Sequence, residues 1–265
     1  MNKQRLSALV TLFLCLGTTQ AISQFKKIKT IELTGHVKSC AVDRPGELYV
    51  TTADGQRMRY DADGILKITM KSTPGPTLFD PHDGARLFAF YRDQRRYEFL
   101  NPSFEPTQAY VIDSAFVIDP WLACLSGDKN IWVLDAADKT LKKINTIRGD
   151  VDVDVAIAMS MPVENIVFLR EYQGFVFVLI RNWGVVIFNG LGKQIKTIEN
   201  KNITSFNFLG EELYYLQGDK LIFFDLFSTD TREVVLPETG DFAILTDERL
   251  FVLKGNAIDF FKASF

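Results

Sequence analysis

Histidine is almost missing from this chain, with two in 265 residues, at His36 and His82. No GxSxG elbow and no HExxH pair occurs, so serine-hydrolase and zincin chemistry have no sequence support. His36 precedes the first strand of the first repeat described below. His82 lies in the turn-like stretch PHDG. These positions are unmatched, so the expectation is one surface and one turn histidine rather than a catalytic dyad across a site.

Cysteine is nearly as scarce, at three. Cys15 falls in the N-terminal leader, which leaves Cys40 in KSCAV and Cys124 in LACLS. Both runs are apolar and strand-like. One disulfide and two buried thiols packing as small hydrophobes are both open. No CxxC or Cys/His spacing suggests zinc. No basic tract exists and the formal net charge is -3, so the electrostatic footprint of a nucleic-acid binder is absent. No stretch holds an i, i+3, i+4, i+7 apolar pattern for three capped turns, which argues against helices. After residue 21 no apolar run approaches the 18 residues of a membrane span.

The first 21 residues, MNKQRLSALVTLFLCLGTTQA, read as a secretory signal peptide. Lys3 and Arg5 give the basic region, Leu6–Leu16 the apolar one, and Thr19 and Ala21 the small residues of a cleavage site. Loss of those two cations from a net charge of -3 leaves the mature chain near -5. A leader retained as an anchor is the alternative. The sequence thus predicts an exported protein, in a periplasm or at a cell surface, with no membrane span once the leader is cleaved.

What the sequence has in quantity is phenylalanine, 22 of them, with 8 tyrosines and short Val/Ile runs. That bias favours strands. Six aromatic–aliphatic runs recur: LYVTT from Leu48, LFAFY from Leu87, IWVLD from Ile131, VFVLI from Val176, LYYLQ from Leu213 and LFVLK from Leu250. Their starts are 39, 44, 45, 37 and 37 residues apart. A period of about 40 is that of a four-stranded propeller blade. Each run (strand B) is preceded by a first strand A, such as Ser39–Asp43 or Leu122–Ser126. It is followed by a tight-turn signal such as Asp54-Gly55 or Gly255-Asn256, and then by strands C and D. The expectation is an all-β, six-bladed β-propeller of four-stranded blades filling residues 22–265 as one monomeric domain. The last copy has only three strands, Asp241–Leu245, Arg249–Lys254 and Ala257–Lys262. Phe25–Leu33 shares Ile-Lys-Thr-Ile-Glu with the fourth strand Gln194–Glu199. It is therefore expected to pair with Ala257–Lys262 and close the ring.

GDKNIWVLDAADKTLKKINTI (Gly127–Ile147) and AVDRPGELYVTTADGQRMRYDADGILKI (Ala41–Ile68) resemble the NHL-type repeat. The whole mature chain is similar to six-bladed NHL/TolB-like propellers exported by bacteria. Blade two departs from the pattern, because Pro102 and Pro106 interrupt its outer half. The resemblance implies the fold, and implies either a non-catalytic binding module or a calcium-dependent hydrolase, lactonase or lyase. It also places a ligand over the central channel, on the face bearing the D–A and B–C connections.

On that face the basic and aromatic residues Arg92, Arg95, Arg96, Trp121, Arg181 and Trp183 are the candidates for a binding surface, with His36 within reach. Arginine and tryptophan combine large contact area with a polar handle. The bland alternative packs Trp121 between blades and leaves the arginines solvated. No catalytic and no metal residue is assigned. No cofactor is called for, though calcium would fit if Asp54, Asp119, Asp138, Glu164 and Asn165 converged. Acidic and amide residues in turns more often bond their own backbone. VDVDV (Val151–Val155) reads as an outer edge strand with Asp152 and Asp154 facing water. Asn202-Ile-Thr matches the N-glycosylation sequon, which matters only in a eukaryotic secretory pathway. The sequence reads as a protein- or peptide-binding module of the cell envelope. The rival is a metal-dependent hydrolase or lyase.

Overall fold

A computed structural model describes residues 24–157, 161–228 and 230–264; the expected leader and its expected cleavage site lie outside them. The chain begins with β1 (Phe25–Glu32). Blade one follows as β2 (Val37–Val42), β3 (Leu48–Thr52), β4 (Gln56–Tyr60) and β5 (Leu66–Lys71). Blade two is β6 (Leu78–Asp80), β7 (Leu87–Tyr91), β8 (Arg96–Leu100) and β9 (Pro106–Val111). Blade three is β10 (Pro120–Leu125), β11 (Ile131–Asp135), β12 (Thr140–Asn145) and β13 (Asp150–Ala156). Blade four is β14 (Ile166–Tyr172), β15 (Phe175–Ile180), β16 (Gly184–Asn189) and β17 (Gln194–Glu199). Blade five is β18 (Asn207–Leu209), β19 (Glu212–Gln217), β20 (Lys220–Asp225) and β21 (Thr231–Val235). Blade six is β22 (Phe242–Leu245), β23 (Arg249–Lys254) and β24 (Ala257–Ala263). Six antiparallel sheets of four strands result, and the sixth has the order β1-β24-β23-β22. This is a six-bladed β-propeller, with its last blade completed by the first strand.

The B runs are aromatic and aliphatic throughout because both their faces are covered by neighbouring blades. Every residue of β7 and of β11 is buried. Outer strands alternate instead: β13 reads exposed at each Asp and half-buried at each Val, as expected for an edge that meets water on one face. The prolines of blade two are accommodated without loss of a strand. Pro102 sits in the turn that Asn101 organises, where its side-chain oxygen accepts from the Ser103 and Glu105 amides. Pro106 opens the outer strand β9, where one ladder N–H can be missing.

Gly184 shows how tightly the B–C turn of blade four is drawn. Its φ is 138°, and a Cβ there would lie 2.0 Å from the Ile198 carbonyl oxygen. Only glycine lets β16 start that close to β17. Both cysteines are free thiols, in separate blades, and burial raises the pKa of each.

Blades are also fastened to one another by buried polar contacts. The Tyr214 hydroxyl in blade five donates to the Leu245 carbonyl and accepts from the Leu245 amide in blade six, both at 2.9 Å. Tyr214→Phe leaves that amide and carbonyl unpaired in the core. We expect a loss of about 1–3 kcal/mol in a denaturant titration. An unchanged midpoint would mean that the contact contributes nothing.

Candidate functional site

Three cavities lie in line along the central channel, walled mainly by the innermost strands. The upper one, about 220 Å³, opens on the face of the D–A connections and B–C turns. The lower one, about 390 Å³, opens on the face of the A–B turns. A small middle cavity of about 70 Å³ separates them. Asn207 lines all three, and Arg170 lines the lower two.

The upper mouth is apolar. Val167 and Phe168 of blade four, Phe206 before β18, and Phe242, Ala243 and Ile244 of blade six are among its wall residues. The Phe168 and Phe206 rings meet edge to face at 5.3 Å, and Phe206 meets Phe208 at 5.6 Å. These residues open their A strands, so the start of each inner strand carries the wall. Polar groups at the rim are Lys38, Ser39, Thr204 and Ser205; among the described residues lining this cavity there is no carboxylate and no imidazole.

The middle is plugged by a polar cluster. The Arg170 guanidinium donates to the Asn207 side-chain oxygen at 3.1 Å and lies 3.7 Å from the Asp80 carboxylate. It is 6% exposed and rests 5.5 Å from the Phe208 ring. Below it, Tyr172 stacks flat on Phe208 at 4.0 Å, and His82 meets Tyr172 edge on at 6.1 Å. Burial and then the Arg170 charge hold the His82 imidazole below its ordinary pKa, with Arg44 adding to the effect against Asp80.

The candidates read from the sequence fall into two groups on the upper face. Arg92, Arg95 and Trp121 come together where blade two meets blade three. The Arg92 guanidinium lies over the Trp121 ring at 3.4 Å, and its Nε donates to the Trp121 carbonyl at 2.8 Å. Arg95 donates to the Val117 carbonyl at 2.7 Å and the Ile118 carbonyl at 2.5 Å. The Trp121 indole N–H donates across to the Ile166 carbonyl of blade four at 2.9 Å. These contacts fasten the connection into blade three. Arg96 turns to Glu98 and to the Tyr91 ring. Arg181 and Trp183 occupy the B–C turn of blade four, separated from Arg92 by blade three, and Trp183 is 41% exposed. His36 is exposed at the entry to blade one.

Two of the residues considered for calcium are engaged within their own neighbourhoods. Asp54 takes Lys71 and the Thr52 hydroxyl, and Asp138 takes Lys142 and the Thr140 hydroxyl. Among the described residues no group of three or more His, Cys, Asp or Glu is placed to hold a metal ion.

Sequence reading missed Arg170, Asn207 and Asp80. One signal was available: Arg170 follows FL within an inner strand whose alternate residues must point into the channel, so a charge there has to be functional or compensated.

No protein-family profile matches the chain, and no curated protein matches it. Solved structures do. Virginiamycin B lyase from Staphylococcus aureus superposes with a TM-score of 0.56 at 11% identity, over 91% of this chain and all of that one. The Pan2 WD40 domain from Neurospora crassa gives 0.58 at 10% identity, over 91% of this chain and 96% of that one. The extracellular domain of BT4673 from B. thetaiotaomicron gives 0.53 at 14% identity, over 84% of this chain, which spans about a third of that one (33%). At such identities the likeness establishes the β-propeller fold, which hosts both catalysts and binding modules. Among the described residues no helix is long and apolar enough to cross a membrane.

Proposed function

We propose that this chain is an exported, monomeric propeller of the NHL/TolB-like kind that binds an apolar segment of a protein or peptide partner in the cell envelope. The upper mouth of the channel carries the reading. It offers a concave cavity of about 220 Å³ walled by Phe168, Phe206 and Phe242, rimmed by hydroxyls and one lysine. A pre-formed apolar cleft with a few convergent polar groups suits recognition of one or two large apolar side chains. Trp183 and Arg181, exposed on the same face, extend the surface an incoming chain would meet. The leader read in residues 1–21 supports export.

The test is a selection of displayed peptides on the immobilised wild-type protein. Enriched sequences should carry aromatic or branched apolar residues. Ala243→Arg, at the half-buried wall, should weaken the selected peptides about tenfold or more, since centrally placed contacts dominate such interfaces. Peptides that bind the variant as well as the wild type would refute an upper-mouth site.

A further inference from the structure

The lower mouth of the channel is a second opening, with a different chemistry. Arg170 is its centre. A guanidinium has five N–H donors. Here one is hydrogen-bonded, to Asn207, and the Asp80 carboxylate stands off at 3.7 Å, beyond hydrogen-bond distance. The remaining donors have no protein acceptor, although the side chain is 6% exposed and faces the cavity of about 390 Å³. Those donors keep access to the cavity, where an entering acceptor can meet them.

The surroundings narrow the acceptor. Tyr172 and Phe208, stacked at 4.0 Å, give the cavity an aromatic wall beside the guanidinium. His82 stands at the same wall, its pKa held below the ordinary value. Two other charges in the lining are already engaged. Asp43 accepts from the Glu47 amide and the Tyr49 hydroxyl. Arg249 is held by Asp63 and the Ala62 carbonyl. Asp247, exposed at the rim, has no partner. The inner end of the cavity thus presents a guanidinium with free donors, its side is aromatic, and its rim carries Arg44 together with the carboxylates of Asp247 and Glu248.

We infer that the lower mouth binds a small amphipathic carboxylic acid of amino-acid or dipeptide size. Arg170 receives the carboxylate through two parallel N–H bonds, which its planar fork matches and a lysine does not. Tyr172 and Phe208 cover the ligand's side chain. Asp247 takes an ammonium group when the ligand carries one. This site stands apart from the upper mouth, and neither depends on the other.

Three probes test it on the full chain by amide chemical-shift titration: phenylalanine, 3-phenylpropionate and 3-phenylpropionamide. The two acids should saturate and shift the amides of Tyr172, Phe208 and Gly210, with phenylalanine the tighter. The amide should bind at least tenfold more weakly. Arg170→Lys should weaken both acids about tenfold or more. Should that variant fold poorly, Asp247→Asn, on the exposed rim, should weaken phenylalanine about threefold or more and leave 3-phenylpropionate unchanged. Equal binding of acid and amide, shifts confined to Phe242 and Ala243, no saturable binding by either acid, or tighter binding of inorganic phosphate than of both acids overturns the inference.

Discussion

Deleting residues 24–33 should unfold the whole propeller, not merely loosen one blade. β1 is the outer strand of blade six, paired to β24 in a ladder from Phe25↔Ala263 to Glu32↔Ala257. Phe25 is 6% exposed and belongs to the core between blades five and six. Leu33 is buried too, and its amide donates to the Asn256 carbonyl at 2.7 Å. Losing a buried phenylalanine alone costs about 3–5 kcal/mol. Each ladder hydrogen bond adds about 0.5–1.5 kcal/mol. The sum reaches the total stability of an ordinary domain, about 5–15 kcal/mol. The deletion also strips β24 of its partner strand, so an open edge beside Ile258, Phe260 and Phe261 invites pairing with another chain.

Circular dichroism should show loss of the cooperative melt, and size-exclusion chromatography should show aggregates. A synthetic peptide FKKIKTIEL added in trans should restore part of the melt. A truncated protein that melts within a few degrees of the parent would show that the ring does not depend on this strand.

The same strand shows what was readable before any coordinates. Blades are chains of hairpins, so pairing is set locally by turn residues and by alternation, and both are written in consecutive residues. That is why the three strands expected in the last copy, Asp241–Leu245, Arg249–Lys254 and Ala257–Lys262, fall within a residue of β22, β23 and β24. Ring closure was legible for a related reason: Ile-Lys-Thr-Ile-Glu occurs both in β1 and in β17. The inner strands were less clear. β18 is only three residues long, whereas the innermost strands β10 and β14 run to six and seven.

Of the channel plug only the charge of Arg170 in an inner strand was legible; its partners were not. Asp80, Arg170 and Asn207 come from three blades and meet only because the ring brings inner strands to one axis. No periodicity relates them. Likewise, ARLFAFYRDQRR hinted at a basic surface, yet Arg92 lies on Trp121, 29 residues downstream. Type and spacing marked these residues; the partner that absorbs each charge lies outside any local window.

Asp135 makes the second large prediction, and it turns on charge. Its side chain is 0% exposed at the end of β11. One carboxylate oxygen accepts from the Asp119 and Ala137 amides, the other from the Ile118 amide and from Lys142 Nζ at 2.9 Å. It therefore holds the connection entering blade three and neutralises a buried ammonium. Burial works to raise its pKa, but Lys142 and the three amides outweigh it and hold the carboxyl below the usual range. Burial likewise opposes the Lys142 charge, and Asp135 with Asp138 still raises that pKa.

The signs follow. A carboxyl depressed in the folded state contributes stability that is present above its unfolded pKa, about 4, and is lost as pH falls through the folded value. A raised lysine contributes below its unfolded pKa, about 10.4, and that is lost as pH rises through the folded value. Both contributions are complete only between those limits. Asp135→Ala strands Lys142, whose remaining partner Asp138 is largely in solvent. We expect a loss of about 3–5 kcal/mol at pH 7, read by urea titration. Asp135→Asn should also lower stability at pH 7 and should flatten the fall in stability between pH 5 and 3. Adding Lys142→Met to Asp135→Asn should recover much of the loss, because an apolar side chain needs no counter-charge. A double variant no more stable than Asp135→Asn would mean that the carboxylate acts through the three backbone amides alone, and that the ion pair contributes nothing to blade three.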